Sequence, residues 1–210
     1  MKMILSIILS LMLMVSIPAQ ANQKTWRFKV FLEDKEIGSH TFQVSNINNQ
    51  VHATIQADFN VYVLFINAYH YQHRNYEVWE GACLKSIHST TNDNGEDLFV
   101  RATKDNSQLT IESTAGAHQA KGCIKSFAYW DPDFLNSQAL LNAQTGEILP
   151  IRVELVGQDS INVRNQPTKA THYRIHTDKF SIDLWYSDKN EWLALNSTTE
   201  NGAKLRYEIQ

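Results

Sequence analysis

Only two cysteines, Cys83 and Cys123, occur in the 210 residues. An even pair in a chain bound for an oxidising compartment is expected to form a disulfide. Such a bridge closes a loop of 41 residues, counted inclusively, which the chain-entropy treatment values at about 4 kcal/mol. Neither cysteine has a second Cys or a His at ligand spacing, so no zinc site is expected. Lys and Arg gather into no cluster, which excludes a phosphate-tracking surface for nucleic acid. A basic amphipathic helix of the kind that lies on membranes is also missing. So are the G-x-S-x-G elbow, the H-E-x-x-H pair, the P-loop and the dinucleotide fingerprint. No cofactor, no resident metal and no catalytic residue follow from any motif.

One long apolar run is present, and it stands at the start. Lys2 precedes the mainly apolar Met3–Ile17, followed by Pro18 and the small-residue site Ala19-Gln20-Ala21. That layout predicts a secretory signal peptide over residues 1–21, cleaved after Ala21. The run is shorter than the roughly 20 residues of a membrane-spanning helix. No Cys follows the cleavage site, which argues against a lipid anchor. The expected product is a periplasmic protein beginning near Asn22, with no transmembrane segment after the leader is lost. Its net charge is near −4, from 18 Lys plus Arg once Lys2 is gone against 22 Asp plus Glu.

Residues 22–210 read as a single all-β domain. Trp26, Phe28, Val30 and Leu32 alternate with Arg27 and Lys29, the period-two mark of a half-buried strand. Ile151, Val153 and Leu155 repeat it against Arg152 and Glu154. So do Phe180, Ile182, Leu184 and Tyr186, and again Leu205, Tyr207 and Ile209. Turn signals separate these runs at Glu33–Glu36, Asn46–Asn49, Asn92–Gly95, Asp105–Ser107, Thr114–Ala117, Gly157–Ser160, Ser187–Asn190 and Asn201-Gly202. The count is about twelve strands without interleaved helices, which indicates an antiparallel sheet. The apolar start of residues 61–79 predicts a strand buried on both faces, crossing the middle of a strongly curved sheet. One helix is expected over 132–141, capped by Asp131 and opened by Pro132. The predicted architecture is a strongly curved antiparallel sheet or incomplete β-barrel, with that short helix against its opening.

Titratable groups offer little on spacing alone. His172 and His176 share a strand face but lack a third ligand. His70 and His73 point to opposite faces. Asp131 and Asp133 fit a helix start. Glu77, Glu80, Glu96 and Asp97 sit beside turns and are expected to be solvated. Aromatic clusters carry more: all 22 Trp, Tyr and Phe residues follow the leader. On one face of the 69–79 strand lie Tyr69, Tyr71, His73 and Asn75. Phe127-Ala128-Tyr129-Trp130 precedes the expected helix, and Leu140–Glu147 follows it. Rings with hydrogen-bonding tips suit a pocket for an amphipathic molecule, or equally a wet core edge. Asn142 and Gln144 either orient a polar group or satisfy their own turn.

Several of these stretches resemble an uncharacterised family of exported bacterial proteins known only as a domain of unknown function. The matching points are Trp26-x-Phe28-x-Val30, Ile37-Gly38-x-His40 and Glu77-x-Trp79-x-Gly81-x-Cys83-Leu84. The others are Thr91-x-Asp93-Asn94-Gly95, Cys123 with Phe127-Ala128-Tyr129-Trp130, Leu140–Glu147, and Leu184-Trp185-Tyr186 with Trp192. The resemblance implies no activity and no catalytic residue. The pattern also resembles lipid-handling β folds of the cell envelope, which is an analogy of architecture.

The function expected from these residues is a periplasmic binding or carrier protein for a hydrophobic or amphipathic small molecule, lipids included. Tyr69, Tyr71, Tyr129, Trp130 and Trp185 are the expected apolar contacts, with Asn142 and Gln144 at the head group. The alternatives are an enzyme drawing its acid or base from His40, His70, His73 or Asp58, and a non-catalytic envelope assembly subunit. Nothing in the chain identifies a protein partner.

Overall fold

The computed structural model describes residues 23–199 and 202–210. The leader expected at 1–21, and Asn201 of the expected hairpin turn, lie outside the described residues. The first eight strands are β1 (Gln23–Leu32), β2 (Lys35–Ile47), β3 (Gln50–Val63), β4 (Ile66–Glu80), β5 (Cys83–Asp93), β6 (Glu96–Asp105), β7 (Gln108–Ser113) and β8 (Gly116–Lys121). After a 3-10 turn at Pro132–Asn136 come β9 (Ala139–Leu141), β10 (Ile148–Pro150) and β11 (Arg152–Val163). The chain ends in β12 (Gln166–His176), β13 (Ser181–Tyr186), β14 (Trp192–Thr198) and β15 (Lys204–Ile209).

Thirteen strands form one sheet in the order β11-β12-β13-β14-β15-β1-β2-β3-β4-β5-β6-β7-β8. All neighbours pair antiparallel, and β15 meets β1 to join the two ends of the chain. The edges β8 and β11 do not pair with each other, so the sheet curls without closing. Alternation sets which side is covered. Trp26, Phe28 and Val30 of β1, and Leu184 and Tyr186 of β13, are buried on the concave side with Phe42, Trp192 and Tyr207. Phe28 and Trp192 pack with ring centroids 4.2 Å apart, and Phe42 meets Trp192 edge-on at 4.9 Å. These contacts draw together strands far apart in sequence and fix the curl.

Residues 122–151 leave β8 and return to β11 through the hollow of that curl. Leu84 N–H donates to Ile124 C=O (2.8 Å) at the start of this connection. Beside it, the Cys83–Cys123 disulfide ties the same segment to β5. Tyr186 Oη donates to Tyr129 C=O (2.8 Å), and Ser89 Oγ donates to Ala143 C=O. The β9–β10 hairpin buries Leu140, Leu141 and Leu149. Its turn sits so close to β7 that a Cβ on Gly146 would lie 2.8 Å from that of Ser113, and φ is +81° there. Only glycine fits both conditions.

Four local expectations change. The helix over 132–141 is a five-residue 3-10 turn, capped as expected by Asp131, whose side chain accepts from Asp133 N–H. Ser137 is extended and residues 139–141 are taken into pairing with β10, which ends the helix early. The count rises from about twelve strands to fifteen. Gly157–Ser160 is no loop: it lies within β11, where the ladder shifts between Leu155 and Gly157. That irregularity in an edge strand turns Leu155 outward, 64% exposed, rather than inward. Finally, residues 61–79 are not one doubly buried strand. They hold the end of β3, a turn at Leu64-Phe65, and β4 up to Trp79.

Candidate functional site

The inward face of β4 carries Tyr69, Tyr71, His73, Asn75, Glu77 and Trp79 in succession, every second residue. At about 3.3 Å a residue these side chains span roughly 33 Å of the hollow. One end is sealed, with Trp79 edge-on to Trp130 at 5.6 Å beside the disulfide. The other end opens beside Leu32, Val61 and Leu205.

At the open end is a cavity of about 770 Å³. Leu32, Phe59, Val61 and Leu205 give it an apolar wall, and Phe59 stacks on Tyr71 with centroids 5.3 Å apart. Its inner boundary is polar. Tyr69 Oη donates to Asp93 Oδ1 (2.7 Å), Gln144 Nε2 donates to Asp93 Oδ2 (3.2 Å), and Tyr71 Oη donates to Gln144 Oε1 (3.1 Å). Burial, and next the Asp93 carboxylate, push both tyrosines above their ordinary pKa. They therefore keep their protons and remain donors.

Beyond that boundary lies a chamber of about 250 Å³, sharing His40, Tyr71 and Gln144 with the outer cavity. Tyr129, Trp130, Asn142, Asn75 and Glu77 complete much of its lining. Three buried polar atoms of that lining have no partner among the described residues: His40 Nε2, Asn75 Oδ1 and Trp130 Nε1. Native interiors rarely leave such atoms unpaired, because each one forfeits its hydration on burial.

The electrostatics of this chamber are set by burial. His40 is held down to about 3 by desolvation first and by His73 second. His73 falls to about 4 through desolvation first and Arg74 second. Both rings are neutral at ordinary pH. His40 Nδ1 pairs with Tyr207 Oη at 3.3 Å. His73 Nδ1 pairs with Thr91 Oγ1 at 2.8 Å. Glu77 is only 2% exposed, against the expectation that it is solvated. It accepts from Asn75 Nδ2 and Trp79 Nε1, each at 2.9 Å, and from the Ser126 hydroxyl. Burial raises its pKa, and these three bonds oppose the rise. Among the described residues no Lys or Arg lines either cavity.

Of the residues named from sequence, Tyr69 and Tyr71 line the outer cavity, and Tyr129, Trp130 and Asn142 line the chamber. Gln144 touches both. Asn142 spends its Oδ1 on the backbone N–H groups of Gln144 (2.8 Å) and Thr145 (3.4 Å), so turn chemistry accounts for that atom. Trp185 lies apart from both cavities: it stacks on His172 at 4.4 Å, donates to Asp159 Oδ2 (2.8 Å) and lines a separate cavity of about 510 Å³ with Lys29 and Arg206. Its neighbours Leu184 and Tyr186 point inward, so alternation sends it out. Sequence reasoning missed Phe59, Asp93, Tyr207 and Glu77. For Glu77 the signal was its parity with Tyr71, His73 and Asn75.

Of the enzyme candidates, His40 and His73 share the chamber, and His70 and Asp58 do not line it. His40 and His73 have no carboxylate partner, His70 Nδ1 pairs with Asn60 Oδ1 (2.9 Å), and Asp58 accepts from Asn60 and Gln72. The histidines that do meet carboxylates are His172, between Asp159 (3.0 Å) and Asp183 (2.6 Å), and His176, 3.0 Å from Glu154; neither lines the chamber. No group of three or more His, Cys, Asp or Glu side chains is arranged to hold a metal among the described residues. No helix among them is long and apolar enough to cross a membrane.

The model of a family described as a domain of unknown function, DUF6134, matches residues 28–210. No curated protein matches the chain. Among solved structures, the chain is similar to a beta-barrel-like protein of domain of unknown function DUF1849 from Brucella abortus. The two share 8% identity at a TM-score of 0.65, over 89% of this chain and 94% of that one. At that identity the likeness is one of fold.

Proposed function

On the premise that the chain belongs to the DUF6134 family, we propose that it binds or carries an uncharged amphiphile, a lipid class included. Residues 22–210 act as one domain in the periplasm, after export and loss of residues 1–21. The apolar part of the ligand occupies the outer cavity against Leu32, Phe59, Val61, Tyr69 and Tyr71. The polar end enters the chamber, oriented by Trp130, Asn75 and His40 beside Tyr129, with Asn142 and Gln144 framing the passage.

The observation that carries this reading is the set of three unpartnered buried atoms in a chamber continuous in lining with an apolar cavity. The outer cavity falls within the roughly 300–1,000 Å³ usual for small-molecule sites. Trp130 Nε1–H calls for an acceptor, Asn75 Oδ1 calls for a donor, and His40 Nε2 calls for whichever its tautomer leaves unmet. A hydroxyl, ester or amide supplies both. An anionic head finds no cation there and meets Glu77 and Asp93, so its desolvation is uncompensated. Glu77 and Asp93 already have donors of their own, which leaves little for an ammonium.

Titration of the protein's tryptophan fluorescence with monolaurin and with laurate tests this. Monolaurin is expected to bind at least about tenfold more tightly than laurate. Trp130→Phe, which keeps the ring but removes the N–H, is expected to weaken monolaurin by about five- to tenfold. Equal binding of the two amphiphiles, or parent-like binding by Trp130→Phe, contradicts the proposal. A preference for dodecylamine over both would assign the chamber to a cationic head instead.

A further inference from the structure

The β3–β4 hairpin ends in the most exposed apolar surface of the described residues. Val63, Leu64, Phe65 and Ile66 are 56%, 86%, 100% and 70% exposed, and Tyr62 at their base is 47% exposed. The two central residues, Leu64 and Phe65, have φ of 47° and 71°. That left-handed pair is the geometry of a type I′ turn, which favours Asn and Gly and strains bulky side chains. Elsewhere every such pair in this chain includes at least one Asn, with Arg164 the bulky member of one of them. Asn48-Asn49 has φ of 51° and 61°, Asn94-Gly95 has 52° and 96°, and Arg164-Asn165 has 48° and 63°. At this one turn two large apolar side chains occupy strained backbone and face solvent.

We propose that the Val63–Ile66 tip inserts into the interfacial layer of a lipid bilayer and seats the mouth of the cavity against it. Val61 and Tyr69, which pair across β3 and β4 just behind the tip, line the outer cavity. From that pair to the turn is two to three residues, roughly 7–10 Å of strand. Interfacial elements bury their apolar faces to about 5–10 Å, so the tip's reach matches that depth. Val63 and Ile66 pair with each other, which leaves only the turn's own backbone for headgroups and water to satisfy. Tyr62 stands at the base, where an amphipathic ring suits the headgroup level.

The occupant follows from shape and charge. The tip is convex and four residues long, against about 20–30 residues a side in a stable protein interface. Charges near its base are mixed. Lys35 Nζ donates to Tyr62 C=O (2.6 Å), while Glu33 and Asp34 stand in the adjoining turn and Glu33 pairs with the Lys204 backbone. Attraction therefore rests on apolar insertion, and binding should change little with salt.

The test is flotation of the purified protein with vesicles of phosphatidylethanolamine and phosphatidylglycerol. The parent is expected to float. The double change Leu64→Asn with Phe65→Gly is expected to lose about tenfold or more of vesicle affinity. It installs a favoured turn sequence, so its melting temperature should hold or rise, which separates lost binding from lost folding. Phe65→Trp is expected to shift its emission to the blue on vesicles and to be quenched by bromine-labelled acyl chains. Unchanged flotation of the double variant, or an unmoved Phe65→Trp emission, overturns the proposal. A concentration-dependent dimer abolished by the double variant, without vesicle binding, assigns the tip to a second copy and overturns it too. The result does not depend on what fills the cavity: Trp130→Phe should float like the parent.

Discussion

Two turns close the ends of β3, and they differ in everything but backbone. Asn48-Asn49 joins β2 to β3 at the sealed end, near Glu80, and Leu64-Phe65 joins β3 to β4 at the open end. Both pairs have left-handed φ. The first uses side chains that tolerate this geometry and favour water. The second spends strain and exposure on apolar bulk. Around the first, the disulfide, Trp79 and Trp130 close the hollow. Behind the second, it widens into the outer cavity. The contrast teaches that the sealed end holds the fold together, and the open end gives up stability for contact.

The largest expected effect of breaking that contrast is at the sealed end. Replacing Cys83 and Cys123 by Ser removes a cross-link with a sequence separation of 40. Denaturant unfolding should show a loss of about 4 kcal/mol. Cavity residues at the open end should repack little, because their strands remain paired.

Next comes acid. An unfolded histidine protonates near 6.5, whereas His40 in the fold does so near about 3 and His73 near about 4. Between those values the unfolded chain binds the extra protons. Stability carried by the two neutral rings is thus complete above pH ~6.5 and drains as pH falls toward 4 and 3. At pH ~4 each contributes a loss of roughly 3 kcal/mol. His40→Gln should flatten that acid limb in a series of denaturant melts. An acid limb as steep as the parent's would mean that another group governs it.

The smallest effect is the most diagnostic. Leu64→Asn with Phe65→Gly should stabilise by about 1 kcal/mol and raise the melting temperature by about 2–4 °C. The reciprocal change, Asn48→Leu with Asn49→Phe, should lower it by a similar amount. If the mouth turn gains nothing from its preferred residues, the claim of strain spent on function fails.

The sequence carried the sheet well because alternation is a local signal. Trp26 to Val30 and Ile182 to Tyr186 declare their faces without reference to the rest of the chain. The same alternation put Tyr69 and Tyr71 on one face of β4, whereas Tyr129, Trp130, Asn142 and Gln144 lie outside the strands, where no period applies. The pattern that put Leu184 and Tyr186 inside also put Trp185 outside, and the aromatic cluster around it hid that. Glu77 was misread by its closeness to a turn, although its parity with Tyr71 placed it in the hollow. Residues 61–66 show a different limit. An apolar run states that water is disfavoured, and it does not state whether the chain's own core or an outside apolar phase replaces water. The helix expected over 132–141 failed because the residues after Ser137 found partners in β10, a non-local gain that spacing cannot register.

The most direct measurement is mass spectrometry of small molecules and lipids that stay with the protein through gentle purification. The account predicts a species with an uncharged polar head, retained at a fixed ratio and depleted in Trp130→Phe. Protein that carries nothing and takes up no uncharged amphiphile when offered one, or that holds an anionic lipid equally well in parent and variant, contradicts it.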